Sequence, residues 1–259
     1  MFNHFIEIII FIFGMCAGSF ANVCIYRLPL SKSIIDPPRS FCPNCKAMIR
    51  FYDNIPVLSY LWLKARCRNC SQPIPFRYPL VEIICGSFAL GAFLKFGFSF
   101  ECLIYFVFIT SLIIITFIDI YHQIIPDVIT LPGIPISFLA SFVLPSLTYK
   151  DSLLGLLAGG GSLLIIGWIY YLIKKVEGMG GGDIKLLAMI GAILGWKGVL
   201  STVFIASVTG TLVGIIIMMR TQKDMKVPVP FGPFLSTGAI IYIFFGQDLI
   251  TWYFGLLRI

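Results

Sequence analysis

Asp119 and Asp183 are acids set beside long apolar runs, and they are the first candidates for chemistry in this chain. Asp183 closes the run Gly178-Met179-Gly180-Gly181-Gly182-Asp183. Asp119 stands in Phe117-Ile118-Asp119-Ile120-Tyr121-His122-Gln123-Ile124-Ile125-Pro126-Asp127. An acid at membrane depth is costly, so one that is kept there is read as functional and its partner is sought. Two carboxyl groups within hydrogen-bond range do not both ionise readily. One keeps its proton, the other serves as base, and a water between them becomes a nucleophile. The glycines ahead of Asp183 give a backbone that a substrate strand can approach closely. The same pair of acids also suits an ion or proton site in a transporter or channel, and on the residues alone the two readings stand level. Asp127 competes with Asp119 for the upstream role, its other reading being the cap, as an N-terminal acid, of the fourth span. His122, a single histidine, reads as a polar loop residue.

Cysteines form a second constellation. Cys42-Pro43-Asn44-Cys45 and Cys67-Arg68-Asn69-Cys70 are two CxxC pairs separated by 21 residues. That spacing matches a zinc ribbon, slightly beyond its usual interval: each pair makes a tight knuckle, and together they supply four thiolates to a tetrahedral Zn2+ ion. Two disulfides or a redox CxxC are the competing readings, but no βαβ pattern surrounds either pair. Cys16, Cys24, Cys85 and Cys102 lie in or beside apolar runs and read as small buried hydrophobes.

The elements that must position these groups are membrane helices. The 259 residues are 58% hydrophobic and 12% charged, where a soluble domain carries about a quarter charged residues. Eight apolar segments can be drawn, at about 5–24, 79–97, 101–118, 128–146, 152–173, 184–196, 198–219 and 233–255. A bilayer span takes about 20 such residues, so the expected fold is an all-α polytopic membrane protein of about eight transmembrane helices. Met1-Phe2-Asn3-His4 offers no basic start and Glu7 interrupts the first run, so that run is expected to stay as a helix. Gly159-Gly160-Gly161, with Gly191 and Gly195, are expected to let helices pack closely or tilt.

Charge placement gives a topology. Of the 19 basic residues, Lys95, Lys150, Lys197 and Arg258 fall on one side of such an arrangement and the other fifteen on the opposite side. The fifteen mark the cytoplasmic face and put both termini outside. Asp119, Asp127 and Asp183 then share the cytoplasmic side. The net charge of +7 is accounted for by topology and contact with anionic lipid, without nucleic acid. A reducing cytoplasmic face argues against disulfides. Residues 25–78 form a cytoplasmic four-cysteine zinc-binding loop domain between a first helix at 1–24 and a seven-helix membrane domain at 79–259. A loop of that length can hardly build its own core, so a metal staple is physically sensible.

Gly180-Gly181-Gly182-Asp183 resembles the GxGD signature of intramembrane aspartyl proteases. With Asp119 and Ile125-Pro126-Asp127, the chain resembles the bacterial prepilin peptidases, also called type IV leader peptidases. The likeness runs on through Gly18-Ser19-Phe20-Ala21-Asn22-Val23-Cys24-Ile25-Tyr26-Arg27-Leu28-Pro29, the four cysteines, Arg77-Tyr78-Pro79-Leu80-Val81-Glu82 and Pro230-Phe231-Gly232-Pro233-Phe234. The order and joint presence of these blocks make the resemblance specific. It implies a catalytic pair at Asp119 and Asp183, and prepilin or pseudopilin substrates whose basic leader is cut on the cytoplasmic side after a glycine. It also implies N-methylation of the new terminal residue, typically phenylalanine, by S-adenosylmethionine. No methyl-donor loop is recognisable. Asn22, Arg27 and Glu82 are polar residues in matching blocks, with buried hydrogen bonding and helix-end anchoring as the alternative to a cofactor role. A transporter would leave the joint motifs unexplained and shows no repeat; a zinc-dependent interaction module would leave both aspartates unexplained.

Overall fold

The structure is a computed structural model that describes residues 2–37, 39–175, 180–221 and 229–256. Gly178 and Met179 of the glycine run lie outside the described residues. Backbone groups in hydrocarbon have no water to bond, so long apolar runs close their hydrogen bonds internally as helices. The order is α1 (Phe2–Arg27), α2 (Leu58–Trp62), α3 (Arg77–Phe96), α4 (Phe100–His122), α5 (Asp127–Ala140), α6 (Tyr149–Lys174), α7 (Gly181–Thr221) and α8 (Gly232–Leu256). Among the described residues there is no strand beyond two isolated bridges, Phe41 with Met48 and Arg66 with Pro73. Among the described residues, five helices, α1, α3, α4, α6 and α7, are long and apolar enough to cross a membrane. The chain is a multi-pass, all-α membrane protein.

Each of the eight apolar segments meets a helix, two of them α7, but the one drawn at 128–146 outruns α5, which ends at Ala140. That helix has 41 residues with a non-helical break at Gly195, φ 71° and ψ 178°, a conformation that glycine alone adopts readily. The chain folds back there. A Cβ placed on Gly159 would meet both Leu187 O at 2.4 Å and Val199 Cγ2 at 3.4 Å, residues that a straight helix would hold about 18 Å apart. The arm before the break, 181–194, and α5, with 14 residues, are each shorter than the roughly 20 residues of a full span.

Two compact units, Met1–Ile114 and Ile115–Ile259, divide the chain within α4. In the first, α1 packs on α3 through small residues. A Cβ on Gly14 would lie 2.5 Å from Ala89 Cβ, and one on Gly18 would lie 2.7 Å from Glu82 Cα. Residues 28–76 link these helices, and Cys42 is the one buried residue among those described there.

In the second unit, α6 lies against α7. A Cβ on Gly155 would sit 2.2 Å from Gly191 O, whereas one on Gly161 would meet nothing within 4 Å. Gly155→Ala is therefore expected to force the helices apart and destabilise the protein by about 1–3 kcal/mol. Gly161→Ala is expected to be neutral or stabilising by about 0.5–1 kcal/mol through helix propensity. Thermal unfolding of both variants in detergent checks the contrast.

Candidate functional site

The two aspartates of the sequence reading belong to the second unit. Asp119 lies one turn from the end of α4 and is 5% exposed. Its Oδ2 accepts the backbone N–H of Gly232 at 3.0 Å. Gly232 opens α8, so this carboxylate satisfies one of the amides that every helix start leaves without an internal partner. Asp183 stands in the first turn of α7, half-buried, and its N–H donates to Gly180 O at 3.2 Å. The two carboxylates interact electrostatically.

Ile125 packs between their supports. A Cβ on Gly182, next to Asp183, would lie 2.8 Å from Ile125 Cβ. One on Gly232 would lie 3.2 Å from Ile125 Cδ1 and 2.6 Å from Asp119 Oδ2. The starts of α7 and α8 and the link after α4 thus converge on one side chain. Paired carboxylates with two helix starts pressed this close can hold and activate a water. Gly232→Ala should displace Asp119, and a misplacement of this order lowers turnover by about a hundredfold. Gly181→Ala, with nothing within 4 Å of the added methyl, should leave cleavage at the parent rate. Initial rates of peptide cleavage compare the two.

Asp127 is placed differently. It is an acid in the first turn of α5, but the cap position falls to Pro126 and no side chain makes a capping bond there, because the proline occupies the residue before the helix. Lys185 Nζ donates to both of its oxygens, at 2.7 and 2.9 Å. The pair ties α5 to the first turn of α7 close by Asp183. His122 ends α4 and is exposed. In the sequence Lys185 is marked only as one more topological charge and Gly232 only as part of its motif, since a backbone N–H leaves no mark in residue type.

In the first unit the four cysteine sulfurs all lie within 4.8 Å of one another, with Cys42 and Cys70 Sγ 3.9 Å apart. A tetrahedral Zn–S length of about 2.3 Å implies sulfur separations of about 3.8 Å. Both knuckles have one design. Cys42 N donates to Ala47 O and Lys46 N to Cys42 O; Cys67 N donates to Gln72 O and Ser71 N to Cys67 O. Lys46 and Ser71, which follow the second cysteine of each, both adopt positive φ, 57° and 56°. The backbone N–H of Gln72 draws the Cys70 thiol down to about 6, toward the thiolate that binds metal. All four cysteines are free thiols, and the cluster could hold a structural metal ion.

A cavity of about 400 Å³ adjoins the knuckles within the same unit, in the size range of small-molecule sites, about 300–1,000 Å³. Its lining includes Asn22 and Arg27 from α1, Cys42 and Cys67 from the knuckles, and Tyr78 and Glu82 from α3. Asn22, Arg27 and Glu82 are all buried. Arg27 donates to the carbonyls of Ser33, Ile34 and Arg39 at 3.0–3.2 Å, an anchor for the loop that leaves α1. Asn22 Nδ2 donates to Tyr78 O at 3.0 Å, and Val57 N donates to Glu82 Oε2 at 2.7 Å.

Comparison with known proteins bears on both units. Residues 12–96 match the Bacterial Peptidase A24 N-terminal domain and residues 106–215 match the Type IV leader peptidase family. A prepilin leader peptidase/N-methyltransferase of Burkholderia pseudomallei is 35% identical, over 91% of this chain and 84% of its own length. Proteins of the same description from Aeromonas hydrophila and Legionella pneumophila are each 34% identical, over 95% and 97% of this chain and 92% and 95% of their own lengths. No solved structure matches the chain.

Proposed function

The chain belongs to the type IV leader peptidase family, and we propose that Asp119 and Asp183 are the catalytic pair with which it removes the leader of a prepilin or pseudopilin. The activity is prepilin cleavage followed by N-methylation of the exposed residue. The observation that carries the catalytic assignment is the convergence of the starts of α7 and α8 on Ile125 in the link after α4, with Asp119 fixed by the Gly232 N–H and Asp183 interacting electrostatically with Asp119. A water held by the pair loses a proton to one carboxylate as its oxygen attacks the scissile carbonyl carbon. The other carboxyl group gives its proton to the carbonyl oxygen. Collapse of the tetrahedral intermediate returns a proton to the leaving nitrogen and frees the mature N-terminus. Cleavage after a glycine, with phenylalanine next, is the expected pattern.

Cys42, Cys45, Cys67 and Cys70 hold Zn2+ as a structural ion, and S-adenosylmethionine is the methyl donor. When bound, the donor supplies a methyl group on a sulfonium. The protein lies in the bacterial inner membrane in contact with anionic lipid, with residues 25–78 and all three aspartates 119, 127 and 183 on the cytoplasmic side and both termini outside. Its organisation is a first helix at 1–24, the zinc loop at 25–78 and a membrane domain at 79–259.

The test is mass spectrometry of a prepilin incubated with membranes holding the protein, with and without S-adenosylmethionine. Loss of the leader in both samples is expected, with one added methyl group only where the donor is present. An intact prepilin in both would reject the reading.

A further inference from the structure

Three arginines line the first unit's cavity: Arg50 donates to Tyr52 Oη, and the other two are engaged as well, while acceptors remain. Arg68 makes a bidentate pair with Asp53 at 2.6 and 2.8 Å, and Arg27 donates to three loop carbonyls. On the same lining, Asn22 is 3% exposed, and its Oδ1 is buried without a hydrogen-bond partner among the described residues. The amide cannot simply turn over, because Nδ2 is held by Tyr78 O. Glu82, 8% exposed, adds a carboxylate to that lining, with Oε2 taking the Val57 N–H and the Ser19 side chain a second hydrogen-bond partner. An ionised carboxylate has roughly four acceptor positions. Buried acceptors without donors, and a buried negative charge, are both costly unless something answers them.

The group that answers both carries several N–H donors, a positive charge and little bulk. We propose that Asn22 Oδ1 and the Glu82 carboxylate form a seat for a primary ammonium group inside the cavity. This rests on the methyltransferase reading above, in which two primary amines take part: the α-ammonium of the methyl donor and the new N-terminal ammonium of the cleaved substrate. In the first case the seat orients the donor. In the second, Glu82 also takes a proton from the ammonium. The freed lone pair then forms the C–N bond while the methyl–sulfur bond breaks, its electrons staying on sulfur.

Glu82 also steadies Val57, whose φ of 60° is unusual for a β-branched residue, so the test must separate anchoring from ligand binding. Glu82→Gln keeps an oxygen for the Val57 N–H and loses the charge; Glu82→Ala loses both. Two quantities are read on the full-length, zinc-loaded protein in detergent: calorimetric affinity for S-adenosylhomocysteine, which retains the α-ammonium, and methylation of a pre-cleaved pilin N-terminal peptide. Cleavage of intact prepilin is the control for folding.

Charge-assisted hydrogen bonds are about twice as strong as neutral ones, and the expected result for Glu82→Gln is a loss of at least about tenfold in methylation. Asn22→Ala should fall in the same assay, with cleavage near the parent rate in both variants. A matching loss of S-adenosylhomocysteine affinity assigns the seat to the donor. Unchanged affinity with slowed methylation assigns it to the substrate amine. Glu82→Gln or Asn22→Ala at parent levels in both measurements overturns the seat, and Glu82 is then only the anchor of Val57. A parent protein that neither binds S-adenosylhomocysteine nor methylates rejects the methyltransferase reading itself, and this inference with it.

Discussion

Replacing either Asp119 or Asp183 with asparagine is expected to lower prepilin cleavage by at least about a thousandfold while leaving the fold intact. The size follows from the roles. General acid and base groups each contribute roughly 10²–10⁴-fold, and groups that act as a unit lose nearly everything when one is removed. The fold should survive because asparagine keeps a carbonyl oxygen where Asp119 Oδ2 accepts the Gly232 N–H. What is lost is the ability to take or give a proton. Asp119→Ala differs, since it also strips the acceptor from the start of α8, and it should lower thermal stability as well as activity. Mass spectrometry of prepilin incubated with each variant gives the rates, and melting in detergent separates the two kinds of loss. An Asn variant that cleaves at the parent rate would remove its residue from the mechanism.

Asp127→Asn is the control that distinguishes the two upstream acids. Its ion pair with Lys185 joins side chains that are 56% and 35% exposed, and exposed pairs contribute about 0–1 kcal/mol. The expected effect on cleavage is therefore a few-fold at most, through the position of the first turn of α7.

The apolar segments were legible because a membrane helix needs a long uncharged run, and each meets a helix, although the run to 146 ends as α5 at Ala140. Their reversal at Gly195 was not, since tilt, packing and a full turn all ask for the same residue. The glycine triplet shows a second limit. Of 159–161, Gly159 and Gly160 do pack closely, a Cβ there lying 2.4 Å from Leu187 O and 3.1 Å from Ala188 Cβ, with Gly155 one turn earlier on the same face as Gly159. Gly161 points into open space. At the site, Asp119 and Asp183 were visible because acids are rare in apolar sequence. Gly232 N–H and Lys185 were not, because what matters there is a backbone donor and a pairing between residues 58 apart. Asn22 and Glu82 come onto one cavity lining only when α1 packs on α3 through Gly14 and Gly18.

Removing the metal should abolish methylation and spare much of the cleavage. Between residues 28 and 76, Cys42 is the only buried residue among those described, so no apolar core stands behind the knuckles. A segment of this size without a core depends on its staple, and structural zinc contributes about 10–16 kcal/mol in small zinc peptides near neutral pH. Chelation, or Cys42→Ser or Cys70→Ser, is therefore expected to unfold the loop, and with it a wall of the cavity that holds Asn22 and Glu82. Limited proteolysis should then cut within 28–76 at rates the zinc-loaded protein does not show. Asp119, Asp183 and Gly232 belong to the second unit, and its helices are held by contacts such as Gly155 against Gly191 that do not involve the cysteines. Cleavage should therefore outlast methylation as chelator is added. Equal and complete loss of both activities from a protein whose loop still resists protease would contradict this separation.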